Sequence, residues 1–99
     1  MMTEYTNLAQ IRAQEGKSEA LGAALLALVA PSREEPGCIA YAVHRGLDDP
    51  DLWMVYEIWT SPAELEAHFA LPHMQAFVAR VPDLVAGELD LKGFSRKSA

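Results

Sequence analysis

Two segments in the middle of the chain decide the fold: Cys38-Ile-Ala-Tyr-Ala-Val-His-Arg45 and Leu52-Trp-Met-Val-Tyr-Glu-Ile-Trp59. Both are rich in β-branched and aromatic residues, and both have the length of a strand. The residues between them, Gly46-Leu-Asp-Asp-Pro-Asp51, have the composition of a turn. Because so short a connection joins antiparallel neighbours, the sequence predicts a β-hairpin.

Further elements are predicted on both sides of this hairpin. Residues 4–14 contain period-two stretches and predict a first strand. From Ser18 onward, apolar residues recur at the spacing of an amphipathic helix, and we expect Pro31 to end or kink that helix. The core-facing stripe is Leu21, Leu25, Leu28 and Val29. Residues 88–94 alternate again and predict a closing strand.

A pair of helices is predicted between the hairpin and the closing strand. Ser61 can cap the first helix, Pro62 suits its first position, and Glu64 can bond back to the Ser61 amide. Pro72 interrupts the pattern, and the second helix is expected to end at Pro82. Its apolar stripe is Met74, Phe77, Val78 and Val81.

The predicted order is strand, helix, strand, strand, helix pair, strand. This is the split βαβ, ferredoxin-like plan of the α+β class, with one antiparallel four-stranded sheet and helices on one face. The third strand is apolar on both faces, so the face without helices is also apolar. Because a bare apolar face of this size implies a partner, we expect a homodimer packed sheet to sheet. With 99 residues, the chain is expected to form a single domain.

The charge balance excludes some classes of partner. Acidic residues outnumber basic ones by 14 to 8, and the formal net charge is −6. Without a basic patch, neither nucleic acid nor an anionic membrane surface is an expected partner. No apolar run has the length of a membrane span and no secretory signal is recognisable, so we expect a cytoplasmic protein. Cys38, the single cysteine, is expected to be a small buried residue.

His68 and His73 are the candidate acid/base residues, because the imidazole pKa lies nearest neutrality. His68 shares the apolar face of its helix with Leu65 and Phe69, so a buried structural histidine is the alternative role. His73 follows Pro72 at the start of a helix, where the helix dipole disfavours the protonated ring and suits a neutral base. The alternative role of His73 is a solvated cap residue.

We predict neither a metal site nor a cofactor. His68 and His73 are rotated by about 140° around a helix, and Pro72 breaks the backbone between them. No third ligand follows at a suitable spacing. A phosphate-binding glycine loop and a dinucleotide fingerprint are also missing from the sequence. His44, beside Arg45, is expected at the surface or at an interface.

Several further side chains could contact a ligand. Trp59 could provide an aromatic wall for a flat polycyclic molecule, although packing alone explains it equally well. Asn7, Tyr41 and Tyr56 could donate hydrogen bonds to a phenolic or carbonyl oxygen. Glu57 is expected on an otherwise apolar face, which requires a partner, and an arginine across the dimer is the expected one.

The segments at 35–45, 48–50, 55–61, 65–68 and 72–77 together resemble the antibiotic biosynthesis monooxygenase family. Their shared pattern is Glu-Pro-Gly-Cys, then His-Arg, then Tyr-Glu-x-Trp, then two histidines five residues apart with a phenylalanine four residues later. The resemblance implies a dimeric α+β barrel with a pocket in each subunit between sheet and helices. It also implies oxidation of a phenol, quinol or anthrone by molecular oxygen without metal or flavin.

Two other functions stay open at this point. Some members of the family are isomerases, and the spacing of His68 and His73 would suit enolisation of a small carbonyl metabolite equally well. A dimeric ligand-binding protein with structural histidines is the non-enzymatic alternative. Distant haem-degrading relatives use an asparagine, a tryptophan and a histidine. Asn7 could match the first of these, but His68 and Val78 stand near the other two positions, so haem chemistry is not expected.

Overall fold

The computed structural model describes residues 4–98. Its elements follow the predicted order, and both the central hairpin and the helix pair are confirmed. The elements are β1 (Tyr5–Arg12), α1 (Ser18–Leu26), α2 (Val29–Arg33), β2 (Cys38–Arg45), β3 (Leu52–Trp59), α3 (Pro62–Phe69), α4 (Pro72–Leu84) and β4 (Asp90–Phe94).

The four strands form one antiparallel sheet in the order β2-β3-β1-β4. This confirms the α+β, ferredoxin-like prediction. In this register Glu57 of β3 lies opposite Tyr41 of β2 on one side and opposite Asn7 of β1 on the other. Directly opposed residues share a sheet face, so these three side chains form a polar row across the sheet.

One face of the sheet is covered by helices α1 and α4. Strand residues at alternate positions pack there against leucines of α1 and against apolar residues of α4. The buried hydrophobic residues that meet on this face include Ala9, Ile11, Leu21, Leu25, Val55, Trp59, Met74 and Phe77. The polar row therefore lies beneath the helices, inside the core.

Hydrogen bonds of Ser18 connect the start of α1 to the central hairpin. Ser18 Oγ accepts hydrogen bonds from Trp53 Nε1 and from Arg45, at 3.0 Å each, and donates to the carbonyl of Pro50 at 2.6 Å. The Arg45 guanidinium also lies 5.0 Å from the centre of the Trp53 ring. These contacts orient α1 without using any of the predicted site residues.

Both proline predictions are wrong in detail. Pro31 is the third residue of α2, where its missing amide costs nothing, because the first four amides of a helix have no partner within it. The break comes earlier, between α1 and α2. Pro82 lies inside α4, which continues to Leu84, and the Val85 amide still donates to the Val81 carbonyl at 2.9 Å. Val78, predicted in the core, is exposed because it lies on the solvent side of α4.

The predicted capping box at α3 does not form. Ser61 occupies the N-cap position with extended backbone angles, and Pro62 is the first helical residue as expected. However, the Ser61 side chain makes no capping hydrogen bond, and Glu64 bonds to the Ser61 carbonyl only through its own amide. The Glu64 side chain instead packs against Gly37, the residue before β2.

None of the described helices packs on the second face of the sheet. Apolar side chains lie on this face, and Tyr56 and Phe94 are more than a third exposed. No helix among the described residues has the length and hydropathy to cross a membrane. The homodimer and the cytoplasmic location stay predictions.

Candidate acid and base site

Three side chains from different segments meet at one carboxylate oxygen. His68 Nδ1 of α3 lies 2.6 Å from Glu35 Oε2, and His73 Nε2 of α4 lies 2.9 Å from the same atom. We call Glu35, His68 and His73 the histidine–carboxylate cluster. The structure thus brings both predicted histidines together through Glu35, for which the sequence predicts no role in the site.

The hydrogen bonds assign the protons of the two rings. A carboxylate can only accept, so His68 Nδ1 and His73 Nε2 both donate to Glu35. His68 Nε2 is buried and has no partner among residues 4–98. In the neutral form of the His73 ring, Nδ1 is then the nitrogen with the lone pair, and the ring reaches solvent, since the His73 side chain is 21% exposed. This atom can accept a proton from a bound molecule.

Local backbone structure holds Glu35 in place. Glu35 lies in the turn after α2. Its amide donates to the Ser32 carbonyl at 3.1 Å, and its carbonyl accepts from the Cys38 amide at 3.0 Å. A Cβ atom at Gly37 would overlap the Glu64 side chain, so the turn approaches α3 more closely than another residue would allow. This close approach places Glu35 against α3 and α4.

His68 is fully buried and surrounded by aromatic rings. Its ring centre lies 4.5 Å from that of Trp59, 5.5 Å from Phe69 and 5.8 Å from Tyr41. Burial lowers the pKa of His68, and the hydrogen bond to Glu35 only partly offsets that effect. The ring is therefore neutral at neutral pH, which agrees with a single proton on Nδ1.

A second carboxyl group lies deeper, in the polar row of the sheet. Glu57 Oε1 accepts from Trp59 Nε1 at 2.9 Å, and Glu57 Oε2 accepts from Asn7 Nδ2 at 3.2 Å. Burial raises the pKa of Glu57 to about 7, against the lowering effect of these two hydrogen bonds. Within the chain, Trp59 and Asn7 are the hydrogen-bond partners of this carboxyl group, and the expected arginine across the dimer stays a prediction.

Among the spaces enclosed by residues 4–98, two adjoin these groups. A groove of about 240 Å³ is lined by residues of α1, of the turn that follows it and of α4, and it has His73 in its wall. A space of about 30 Å³ between sheet and helices is lined by Tyr41, Glu57 and apolar side chains. The inner space has room for little more than a water molecule, whereas the groove could take a small ring system.

The other predicted contact residues do not line the groove. Trp59 is fully buried against His68, and Asn7 is buried against Glu57. The side chain of Tyr56 lies on the opposite, helix-free face of the sheet, since its neighbours Val55 and Glu57 point into the core. His44 is exposed at the end of β2, as expected. Of the five predicted site residues, only His73 borders the groove.

Glu35 opens the Glu-Pro-Gly-Cys run of the family pattern, but neither its spacing nor its neighbours predict a role in the site. It stands in a turn beside Glu34 and Pro36, and a charged residue in a turn is usually solvated. Its side chain is nevertheless only 8% exposed. Only the tertiary structure points to Glu35, because two buried histidines at adjoining helix ends need a charged or polar partner.

The cluster also contains the donor set of a metal site. Glu35, His68 and His73 each offer one ligand atom within 4.8 Å of the others, and two imidazoles with one carboxylate can bind divalent iron or zinc. The prediction that no third ligand is available is therefore wrong, because Glu35 supplies one. The 2.6 Å contact is a hydrogen-bond distance, whereas ligand atoms around tetrahedral zinc lie roughly 3.3 Å apart. The carboxylate would have to move outward to admit an ion.

Comparisons with known proteins cover this region of the chain. A model of the antibiotic biosynthesis monooxygenase family matches residues 4–80, which include the whole cluster. A crystal structure of a Pseudomonas aeruginosa protein is similar with a TM-score of 0.92 and 35% identity, over 97% of this chain and 96% of that chain. The structure of a candidate antibiotic biosynthesis monooxygenase from Chloroflexus aurantiacus is similar with a TM-score of 0.81 and 30% identity, over 97% and 95% of the two chains.

A curated relative of different length is also similar. An uncharacterised protein of Synechocystis is 33% identical over 82 residues, which are 83% of this chain. The chain spans about half (56%) of the length of that protein.

Proposed function

Because the chain belongs to the antibiotic biosynthesis monooxygenase family, we propose that it oxidises a small electron-rich phenol, quinol or anthrone with molecular oxygen, without a cofactor. His73 acts as the base in this proposal, and Glu35 and His68 position it. The substrate occupies the groove between α1 and α4.

One observation carries the proposal: the ring of His73 borders the groove while its Nε2 is bound to the buried carboxylate of Glu35. A carboxylate behind an imidazole fixes the ring and its tautomer, and it stabilises the imidazolium that forms when a proton is taken up. His68 holds the same oxygen from the other side. The base is therefore pre-positioned at the wall of a space that can hold a ring system.

The chemistry needs no external reductant. His73 Nδ1 removes an acidic proton from the substrate, and the resulting anion donates one electron to oxygen. The substrate radical and superoxide then combine into a carbon–oxygen bond. For an anthrone, loss of water from the resulting peroxide converts a CH₂ group into a carbonyl group, so one oxygen atom enters the product and the other leaves as water. The protein contributes orientation, water exclusion and charge stabilisation.

Oxygen consumption tests the proposal directly. The pure protein, incubated with a panel of quinols and anthrones, should consume oxygen faster than each compound autoxidises, with one oxygen atom from ¹⁸O₂ in the product. Heat-denatured protein is the control for surface and trace-metal effects. If no member of the panel reacts faster than its autoxidation rate, the proposal is wrong.

The same experiment separates the two alternatives. An isomerase would exchange solvent deuterium into a carbonyl substrate with no oxygen uptake, because a carboxylate–histidine pair serves proton transfer at carbon as well. A ligand-binding protein would show binding with neither reaction.

The chain is expected to work as a homodimer packed through its helix-free sheet face. Tyr56 lies on that face, so Tyr56→Asp should convert the dimer into a monomer by placing a charge in an apolar interface. Sedimentation velocity measures the change. Leu47→Asp is the matched control, since Leu47 is fully exposed in the hairpin loop. A wild-type protein that sediments as a monomer would contradict this expectation.

A further inference from the structure

The groove beside His73 is mostly apolar but has a charged residue at some distance from the histidine. Its lining comprises Ala24, Ala27, Leu28, His73, Ala76, Phe77 and Arg80. The alanines leave open space, and Leu28 and Phe77 offer apolar surface for a ring. Among the lining residues, His73 and Arg80 are the two with polar side chains.

The helix sets the spacing between these two polar groups. His73 and Arg80 are seven residues apart in α4, which places them about 20° apart around the axis and about 10.5 Å apart along it. They therefore lie on the same side of α4, two turns apart. A molecule lying along the groove can contact both.

Arg80 is a cation without a partner in the part of the chain that the structure describes. Its guanidinium forms neither an ion pair nor a side-chain hydrogen bond with any of residues 4–98. A guanidinium presents a planar fork of donors that matches a carboxylate. Since the protein has a net charge of −6, any preference for an anion must come from this local charge.

We propose that the ligand of this groove is an aromatic hydroxy acid, with a carboxylate bound by Arg80 and a phenolic hydroxyl at His73. This inference rests on the proposed function for the role of His73 and adds the substrate class. The distance between the two groups predicts a molecule about as long as two fused rings with substituents at opposite ends. Arg80 is a binding residue here and takes no part in proton transfer.

Binding of two matched probes tests the inference without any turnover. 2-Naphthol and 6-hydroxy-2-naphthoic acid share the ring and the hydroxyl group, and only the acid carries a carboxylate. Titration calorimetry should show that the wild-type protein binds the acid about tenfold more tightly than the naphthol, because the added ion pair is charge-assisted. Salt should weaken binding of the acid more than binding of the naphthol.

Variants assign this preference to one residue. Arg80→Gln should remove the preference and leave naphthol binding unchanged. Arg96→Gln is the control, because it changes the net charge equally and Arg96 does not line the groove. Equal affinities of the wild-type protein for both probes, equal losses for both in Arg80→Gln, or no binding of the acid would each overturn the inference. If the acid binds as expected but no oxygen is consumed with any substrate, the proposed oxidation fails while the groove's ligand class stands.

Discussion

Replacing His73 with alanine should lower the catalysed rate of oxygen consumption by about 10²- to 10⁴-fold, the usual contribution of a positioned general base. The substrate anion would then form only by spontaneous ionisation in solution. Fold and thermal stability should change little, since the His73 side chain is partly exposed and stands at the start of α4. Oxygen-electrode traces, corrected for autoxidation, measure the effect.

The chain provides a matched control for this experiment. His44→Ala removes another histidine, from the exposed end of β2, and should keep full activity. Retention of the wild-type rate by His73→Ala would contradict the assignment of the base.

Glu35→Gln separates proton removal from substrate binding. Glutamine keeps the size of the side chain but cannot stabilise the imidazolium by charge, so we expect kcat to fall while KM stays close to the wild-type value. An increase in KM alone would mean that Glu35 shapes the groove and does not support the base.

Glu57→Gln should remove a pH-dependent loss of stability. Burial raises the pKa of Glu57 from its ordinary value of 4.5 to about 7, so the folded protein keeps a proton that the unfolded chain releases in this range. Wild-type stability therefore falls as the pH rises from about 4.5 to about 7, and the loss is complete above that range. When the pH is raised from 5 to 8, the free energy of unfolding of the variant should increase by about 2 to 3 kcal/mol relative to that of the wild type.

Urea unfolding at both pH values, followed by tryptophan fluorescence, measures this difference. Glu66→Gln is the control, because Glu66 lies exposed on α3. His68 acts in the opposite direction: its lowered pKa makes the folded state less stable as the pH falls below 6.5. That contribution is common to both proteins and cancels in the comparison. A stability difference that does not vary with pH would contradict the raised pKa.

Most of the fold could be predicted from the sequence because its signals are local. The strand at 52–59 combines strand-forming residues with a turn before it, and the Ser61-Pro62 pair marks the start of α3. The errors occurred where local rules depend on context. Pro31 does not end α2, because its missing amide is among the first four of that helix and has no helical partner to lose. Pro82 does lose a helical hydrogen bond, but it lies in the last turn of α4, and the helix continues past it to Leu84.

The candidate site was predictable only in part. Imidazole chemistry identified His68 and His73, but their partner Glu35 is more than 30 residues distant in the chain, and no spacing rule connects them. Strand alternation predicts that Tyr56 lies on the sheet face opposite to Val55 and Glu57. It does not predict which of the two faces the helices cover. Burial of Trp59 against His68 depends on packing, which periodicity does not determine.

Gly37 contributes to the site although it has no side chain to offer. Its backbone fits against Glu64, one helical turn before His68, and it stands two residues after Glu35. A larger residue would overlap the Glu64 side chain, so we expect it to move the turn away from α3 and to lengthen the 2.6 Å contact between Glu35 and His68. Sequences that keep all three members of the histidine–carboxylate cluster but replace this glycine should therefore be regarded as altered at the site itself.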